Sequence, residues 1–393
     1  MNRALLFLSS LKLTVALLAL SLLLILFGTL DQVNIGIRGA QEKYFESVLA
    51  FWRYPPQWSG GRFLSWLYFP VAGGFLLGPF LIVNLTAAHF RHFRPLWSQA
   101  GIAAIHAGVV LILIGQLLAH LLQEDDYMWL DEGSSANFLE SFSRDELVVI
   151  ERTAPDHDSV VSIPVELLQD QPYFQHPKLP FRIEVKSYLP NARLARRSDF
   201  DEPPSPMASQ GLAVSMDVVA QPIPRTFKQD ERNATTAVIE LVGTDGSLGT
   251  WLVSTVLTPD RFGSQPIHYE NRRFDLALRH ERKYLPYRIE LLDFTHDRYP
   301  GTEIPRNFSS KIRLTNEQTG EDRQTLIYMN HPLRYRGLTY FQASFTPDDL
   351  SSMFQVVKNP GWLIPYVSCS LITIGLLFQF GMHLVTFLRR NGS

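Results

Sequence analysis

The sequence predicts a membrane protein with four transmembrane α-helices and a large extracytoplasmic all-β domain, sandwich-like and duplicated. Three observations carry this reading. Apolar residues, 46% of the 393, concentrate in four long runs. Between the third and fourth runs the pattern changes to short β-branched segments separated by turn residues. Two of those segments, 106 residues apart, are near-copies of one another.

The first run, Leu13 to Leu30, is 18 residues without a charge, bounded by Lys12 and Asp31, long enough to cross a bilayer core. A basic start before an apolar run also fits a secretory signal. The run is longer than the usual apolar region of such a signal, and no small-residue cleavage site follows Gly28 to Gln32, so a retained helix is expected. Asp31 to Arg62 reads as a polar loop whose amphipathic middle, Lys43 to Trp58, suits either the lipid headgroup layer or packing on neighbouring helices. The second span is expected over 63–88, with Pro70, Gly73, Gly74, Gly78 and Pro79 tolerated in lipid as kinks and close-packing sites. A short connection, His89 to Gln99, leads to the third span at 100–122, and a fourth runs from Trp362 to Leu388.

The expected division is a membrane region at 1–122, a β domain at 123–359, and a closing helix with a short tail at 360–393. Four spans put both ends of the chain on one side of the membrane. Arg3, Lys12, Arg91, Arg94, Arg389 and Arg390 fall on that side, against Arg38, Lys43, Arg53 and Arg62 on the other. Charge density near the helix ends makes the first side the cytoplasm. The β domain is then periplasmic.

Within that domain, Leu147 to Thr153, Val160 to Leu167, Thr236 to Val242, Thr250 to Val256, Lys311 to Thr315 and Leu338 to Phe345 have the length and composition of strands. Gly243-Thr-Asp-Gly246 and Asn316 to Gly320 are hairpin turns. The repeat pairs LPFRIEVKSY, from Leu179, with LPYRIELLDF, from Leu285; eight of ten positions are identical or conservative, which predicts a duplicated β unit. Arg196 to Gln210, rich in Pro, Ser and Asp, reads as an exposed loop. Arg272, Arg273, Arg279, Arg282 and Lys283 form a basic window that a solvated face explains most simply. Contact with haem propionates, lipid headgroups or a partner is the alternative. His157, His176, His268, His280 and His296 lack metal-ligand spacing. No Ser-His-Asp context, phosphate loop or dinucleotide fingerprint is present. The single cysteine, Cys369, excludes an internal disulfide, a CxxC pair and a CxxCH haem attachment site, and a net charge of -2 gives no reason to expect a nucleic-acid partner.

One ionisable residue, His106, lies inside the third span, about six residues or roughly 9 Å from its start. A histidine at that depth needs protein, water or a metal around it, so it is the candidate for chemistry; a neutral imidazole bonded to another helix is the plainer reading. Gly101, Gly108 and Gly115 recur every seven residues as a stripe for close helix approach. His106 is two residues from Gly108 and projects the other way. His120 falls near the His106 face at the outer end. His383, in the fourth span at similar depth, is the expected intramolecular partner of His106, and His89 and His92 are expected at the membrane interface.

DRYPGTEIPRNFSSKIRL, from Asp297, and LIYMNHPLRYRGLTYFQASF, ending at Phe345, resemble the ResB (CcsB) family of cytochrome c biogenesis proteins. The stretch HPLRYRGLTYFQ is the most specific part. A start of the type LSSLKLTVALLAL, the HxGxxLIxIG pattern of the third span and one closing span are also similar to that family. The middle of the outer domain, from Arg152 to Glu281, resembles it least.

The resemblance implies a subunit of the system II cytochrome c synthase in a bacterial inner membrane. With a ResC/CcsA-type partner, it would carry haem b across the membrane and deliver it to apocytochrome c. It also implies a haem-holding transmembrane histidine, at the position of His106, with His383 as the second candidate. The tryptophan-rich haem-presenting motif of that system belongs to the partner and has no counterpart here, so this chain is expected to be a non-autonomous subunit and not a fused synthase. Two other classes remain open: a membrane-anchored β scaffold without a cofactor, and a b-type cytochrome subunit passing electrons to quinone. The cytochrome would need paired histidines at matching depth.

Overall fold

The computed structural model describes residues 3–55, 58, 63, 66–92, 97–153, 157–200, 202, 205–226, 233–258, 262–301, 305–346 and 350–391. It divides into two compact units. One holds the chain up to Gln123 and from Asn359 onward, and the other holds Glu124–Thr226 and Asn233–Lys358.

Four helices in the first unit are long and apolar enough to cross a membrane: α1 (Leu11–Ala40), α2 (Gly74–His92), α3 (Ala100–Leu122) and α4 (Ile364–Asn391). Before α1 a short helix, Arg3–Leu8, turns at Ser9 and Ser10. Asn84 of α2 satisfies that break: its Nδ2 donates to the carbonyls of Leu8 (2.7 Å) and Ser10 (3.3 Å), while Thr14 Oγ1 donates to its Oδ1 at 2.6 Å. An unsatisfied carbonyl costs several kcal/mol in lipid (roughly 2–7), so Asn84 ties α1 to α2 by necessity.

The region from 31 to 72 differs from the expected polar loop. Helix α1 runs past Asp31 to a break at Gly36 (φ 76°), and the chain returns through a wide turn at Gln41–Phe45. Asp31 anchors the return, accepting from Lys43 Nζ at 2.6 Å and from the Tyr44 hydroxyl at 2.9 Å. Strands β1 (Leu49–Arg53) and β2 (Tyr68–Ala72) then form an antiparallel hairpin. The second span therefore starts at Gly74 and not at Phe63; Pro70 lies in β2, and residues 64–65 fall outside the described residues. A side chain at Gly73 or Gly74 would meet the carbonyls of Ser47 and Phe45 at 2.0 and 2.2 Å, so these glycines seat α2 against the returning chain.

Helices α3 and α4 pack through the glycine stripe. A Cβ at Gly101 would stand 2.7 Å from the Gly375 carbonyl, one at Gly108 2.6 Å from Ile372, and one at Gly115 2.4 Å from Ile364. Bulk placed there forces the helices apart. Gly108→Leu should cost about 1–3 kcal/mol by overpacking, read as a lower melting temperature in detergent. Gly78→Leu, where a Cβ meets nothing within 4 Å, should melt like the wild type; equal melting of both variants would refute the packing role.

The second unit is built mainly of antiparallel strands, with two short helices at Val165–Asp170 and Leu212–Ser215; the strand expected over Val160 to Leu167 ends at Pro164, where the first of these helices begins. Its strands are β3 (Glu124–Asp131), β4 (Ser135–Glu151), β5 (Ser159–Pro164), β6 (Tyr173–Phe174), β7 (Arg182–Leu189), β8 (Ala192–Arg196), β9 (Val218–Pro222), β10 (Thr236–Gly243), β11 (Gly246–Ser254) and β12 (Gln265–Tyr269). They continue with β13 (Arg272–Arg298), β14 (Pro305–Asn316), β15 (Glu321–Tyr328), β16 (Leu333–Tyr335), β17 (Leu338–Phe345) and β18 (Ser351–Lys358). The long β4 and β13 serve two cores. Leu147 and Val149 of β4 and Phe274, Leu276 and Leu278 of β13 bury one face against Ile183 of β7, Ile239 and Leu241 of β10, and Trp251 of β11, making a two-sheet sandwich. Further along, Ile289 and Leu291 join Ile312, Leu314, Ile327, Tyr340, Phe354 and Met128. There the sheet in the order β15-β14-β13-β4-β3-β18-β17-β16 curls toward a barrel. Pro286, which has no amide proton, lies where the β13–β4 pairing lapses between Tyr284 and Ile289.

The two copies of the repeat occupy equivalent places. Ile183 pairs with Leu241 on β10, just before the turn at Gly243. Ile289 pairs with Leu314 on β14, just before the turn at Asn316. Each copy is thus followed in the sheet by a hairpin, as a duplicated unit requires.

The basic window is a cross-strand ladder. Arg272 is bidentate on Glu151 (2.7 and 2.7 Å), Arg279 donates to Glu146 (2.8 Å), Arg282 to Glu140 (2.9 Å), and Lys283 to Glu124 and Asp126 (2.7 and 2.8 Å). Arg273 lies 3.8 Å from Asp275. The Arg279–Glu146 pair is the most enclosed, at 12% and 6% side-chain exposure. Removing one member leaves a buried charge, so Arg279→Met should destabilise by about 3–5 kcal/mol. Arg279→Met with Glu146→Leu should recover most of that in denaturant unfolding, and no recovery would contradict the account.

Glu124 accepts from Lys283 and from Lys358 (3.0 Å), which together lower its pKa to about 2 from an ordinary 4.5. A depressed carboxylate contributes stability above its unfolded value and loses it as pH falls through the folded one. The domain should therefore weaken between pH 4.5 and 2, and Glu124→Gln should flatten that part of the melting-versus-pH curve. The side chain is 40% exposed, so the effect is a modest one.

Candidate functional site

Helices α2 and α3 are antiparallel neighbours joined by a short connection, and His89, three residues before the end of α2, meets His106, six residues into α3. Their Nδ1 atoms are 3.5 Å apart and their rings meet edge to face, with centroids 5.7 Å apart at 74°. Both side chains are partly buried. His106 thus leaves α3 on the face opposite the glycine stripe, as the rotation along the helix predicts.

The intramolecular neighbour of His106 is His89, not His383. His383 is exposed on α4, with its Nε2 3.1 Å from Gln379 Nε2 on the same helix. His89, expected at the interface, lies inside α2 and against His106. The side chain of His92 lies outside the described residues.

The contact constrains what the pair can do. With their Nδ1 atoms 3.5 Å apart, the two rings engage each other directly. Where the His106 Nδ1 proton points at His89, the His106 Nε2 lone pair is left to coordinate, with its ring oriented from behind. Among the described residues no group of three or more His, Cys, Asp or Glu side chains is placed to hold a bare metal ion.

In the β domain, the HPLRYRGLTYFQ stretch closes the barrel. Arg336 and Gly337 (φ 47° and 79°) make a two-residue turn between β16 and β17 of the type whose twist suits a hairpin. Asn316 Nδ2 donates to the Tyr335 hydroxyl at 3.0 Å, and that hydroxyl donates to Glu321 at 2.6 Å, joining the two ends of the curled sheet. Tyr340 and Tyr287 share a hydroxyl contact of 2.6 Å in the interior. Burial raises both phenols above the ordinary tyrosine range, so they stay neutral. Gln342 links Ser310 and Ser352 at 2.6 and 2.7 Å. These residues hold structure and present no reacting group.

Fold and site together define a multi-pass membrane protein with an all-β domain and a pair of imidazoles in its spans. Residues 263–353 match the ResB-like family. Over 110 residues the chain is 28% identical to Protein NrfI of Wolinella succinogenes, covering 28% of this chain and 12% of that protein. Over 58 residues it is 40% identical to the cytochrome c biogenesis protein CcsB of Prochlorococcus marinus, covering 15% of this chain and 13% of that one. Over these stretches the chain is similar to the ResB/CcsB family, and the matches span a small part of this chain and of each relative.

The matched region contains the Arg336–Gly337 turn. A non-glycine residue in the left-handed region costs about 1–2 kcal/mol, so Arg336→Gly should raise stability by about 1 kcal/mol in denaturant unfolding. A fall would mean that the arginine side chain contributes more than its backbone costs.

Proposed function

We propose that this chain is a haem-handling subunit of a cytochrome c assembly complex. In this reading haem is cargo, held by His106 near the cytoplasmic face and passed outward with a ResC/CcsA-type membrane partner for attachment to apocytochrome c. The observation that carries it is the His89–His106 contact: one ring is positioned by the other and retains a coordinating nitrogen. Similarity to the ResB-like family and to a cytochrome c biogenesis protein supports the same reading.

Orientation follows from charge. Lys12, Arg91, Arg389 and Arg390 lie at the helix ends on the His89–His106 side; Arg91 also donates to Ser9 Oγ at 2.9 Å. By the positive-inside bias that side faces the cytoplasm of a bacterial inner membrane, and the β domain is periplasmic.

Haem co-purifying with the complex should give a pyridine haemochrome. His106→Ala should abolish it, and added imidazole should restore it. His89→Ala should retain haem at an affinity about 10–100-fold lower, the usual effect of losing an orienting partner. Haem retained unchanged in His106→Ala would overturn the proposal. Protease added to intact spheroplasts should cut the β domain; protection would reverse the orientation.

A further inference from the structure

Helices α2 and α3 meet at a second ring contact, at the far end from His89 and His106. His120 lies fourteen residues after His106 on α3, and Phe75 lies fourteen residues before His89 on α2. Because the helices are antiparallel, the spacing repeats the encounter: Phe75 and His120 meet edge to face, with centroids 5.8 Å apart at 66°. At 1.5 Å per residue the two histidines on α3 stand about 21 Å apart along one seam, each with its ring against α2. The two ends of the seam lie toward opposite faces of the membrane.

The surroundings of His120 differ from those of His106 in one respect. Its Nδ1 faces Glu46 Oε1 at 3.6 Å, where the chain leaves the Gln41–Phe45 turn. A carboxylate beside Nδ1 stands where the orienting partner of a metal-ligating histidine commonly stands. The imidazole is 37% exposed, so that nitrogen is within reach of a ligand. Leu117, three residues before it, and Leu121, next to it, are exposed apolar side chains, which suit the faces of a flat apolar macrocycle. A helix-end tether alone would need only the contact with Glu46.

We propose that His120 is a second axial-ligand site for an iron porphyrin, oriented by Glu46 and walled by Phe75. It would serve as the outward station on the seam that begins at His106. The proposal rests on the reading that His106 takes haem, and it extends that reading from one ligand to a pair of stations at opposite membrane faces.

The test uses the full chain in phosphatidylcholine–phosphatidylglycerol nanodiscs, titrated with ferric protoporphyrin IX and followed at the Soret band. The wild type should bind two equivalents. His120→Gln, which keeps a polar contact for Glu46 but cannot supply an imidazole, should bind one, as should His106→Ala; the double variant should bind none. Should His120→Gln melt below the wild type, His120→Met provides the alternative, with two equivalents and a Soret band shifted by thioether ligation. Glu46→Gln should weaken the second site about tenfold and lower its ferrous iron–histidine stretching frequency in the resonance Raman spectrum. If His120→Gln titrates like the wild type while His106→Ala loses haem, the second site is refuted and the function proposed above stands. If only His120→Gln loses haem, the site at His120 stands and the reading of His106 falls. No binding to the wild type refutes both.

Discussion

The close approach of α3 to α4 is the constraint on which the membrane unit depends. Gly101, Gly108 and Gly115 bring backbone and side chains of the two helices within contact distance, with Ile372 and Ile364 of α4 seated directly on Gly108 and Gly115. Lipid tails are as apolar as leucine, so association in a bilayer rests on such packing rather than on the hydrophobic effect. With one face of α3 closed in this way, the opposite face, carrying His106 and His120, turns to α2. Packing side and chemical side are consequences of one seven-residue repeat.

A similar economy organises the β domain. Two long strands, β4 and β13, run through both cores, and the ion-pair ladder along them holds their register. Charged pairs at the edge of water add little each. The enclosed Arg279–Glu146 pair is different, because displacement of either partner strands a charge. The residues most specific to the family resemblance close the barrel through Tyr335, Tyr340 and Gln342, which makes the signature a matter of shape. Chemistry, in this account, belongs to the membrane helices.

Much of this was legible in the residues. The third span, its two faces, the duplicated unit and the hairpin turns at Gly243 and Asn316 follow from periodicity and turn chemistry, which act locally. The β1–β2 hairpin was hidden because Phe63 to Ala88 is apolar nearly throughout, and hydropathy does not distinguish a strand beside a membrane helix from the helix itself. The ladder was hidden for another reason: Arg272 and Glu151 are 121 residues apart, and Lys283 and Glu124 159, so the basic window looked like a solvated face. The partnership of His89 with His106 is not legible locally: arginines flank His89 as they would at an interface, and it lies three residues from the end of α2 where His106 lies six residues into α3.

The central claim is that haem is held by the imidazole of His106. The most direct measurement is the absorption and electron paramagnetic resonance spectrum of haem in the purified complex carrying His106→Cys. A cysteine at a ligating position gives the iron a thiolate ligand, so the account predicts a thiolate-type low-spin signature. An unchanged histidine-type spectrum would contradict it.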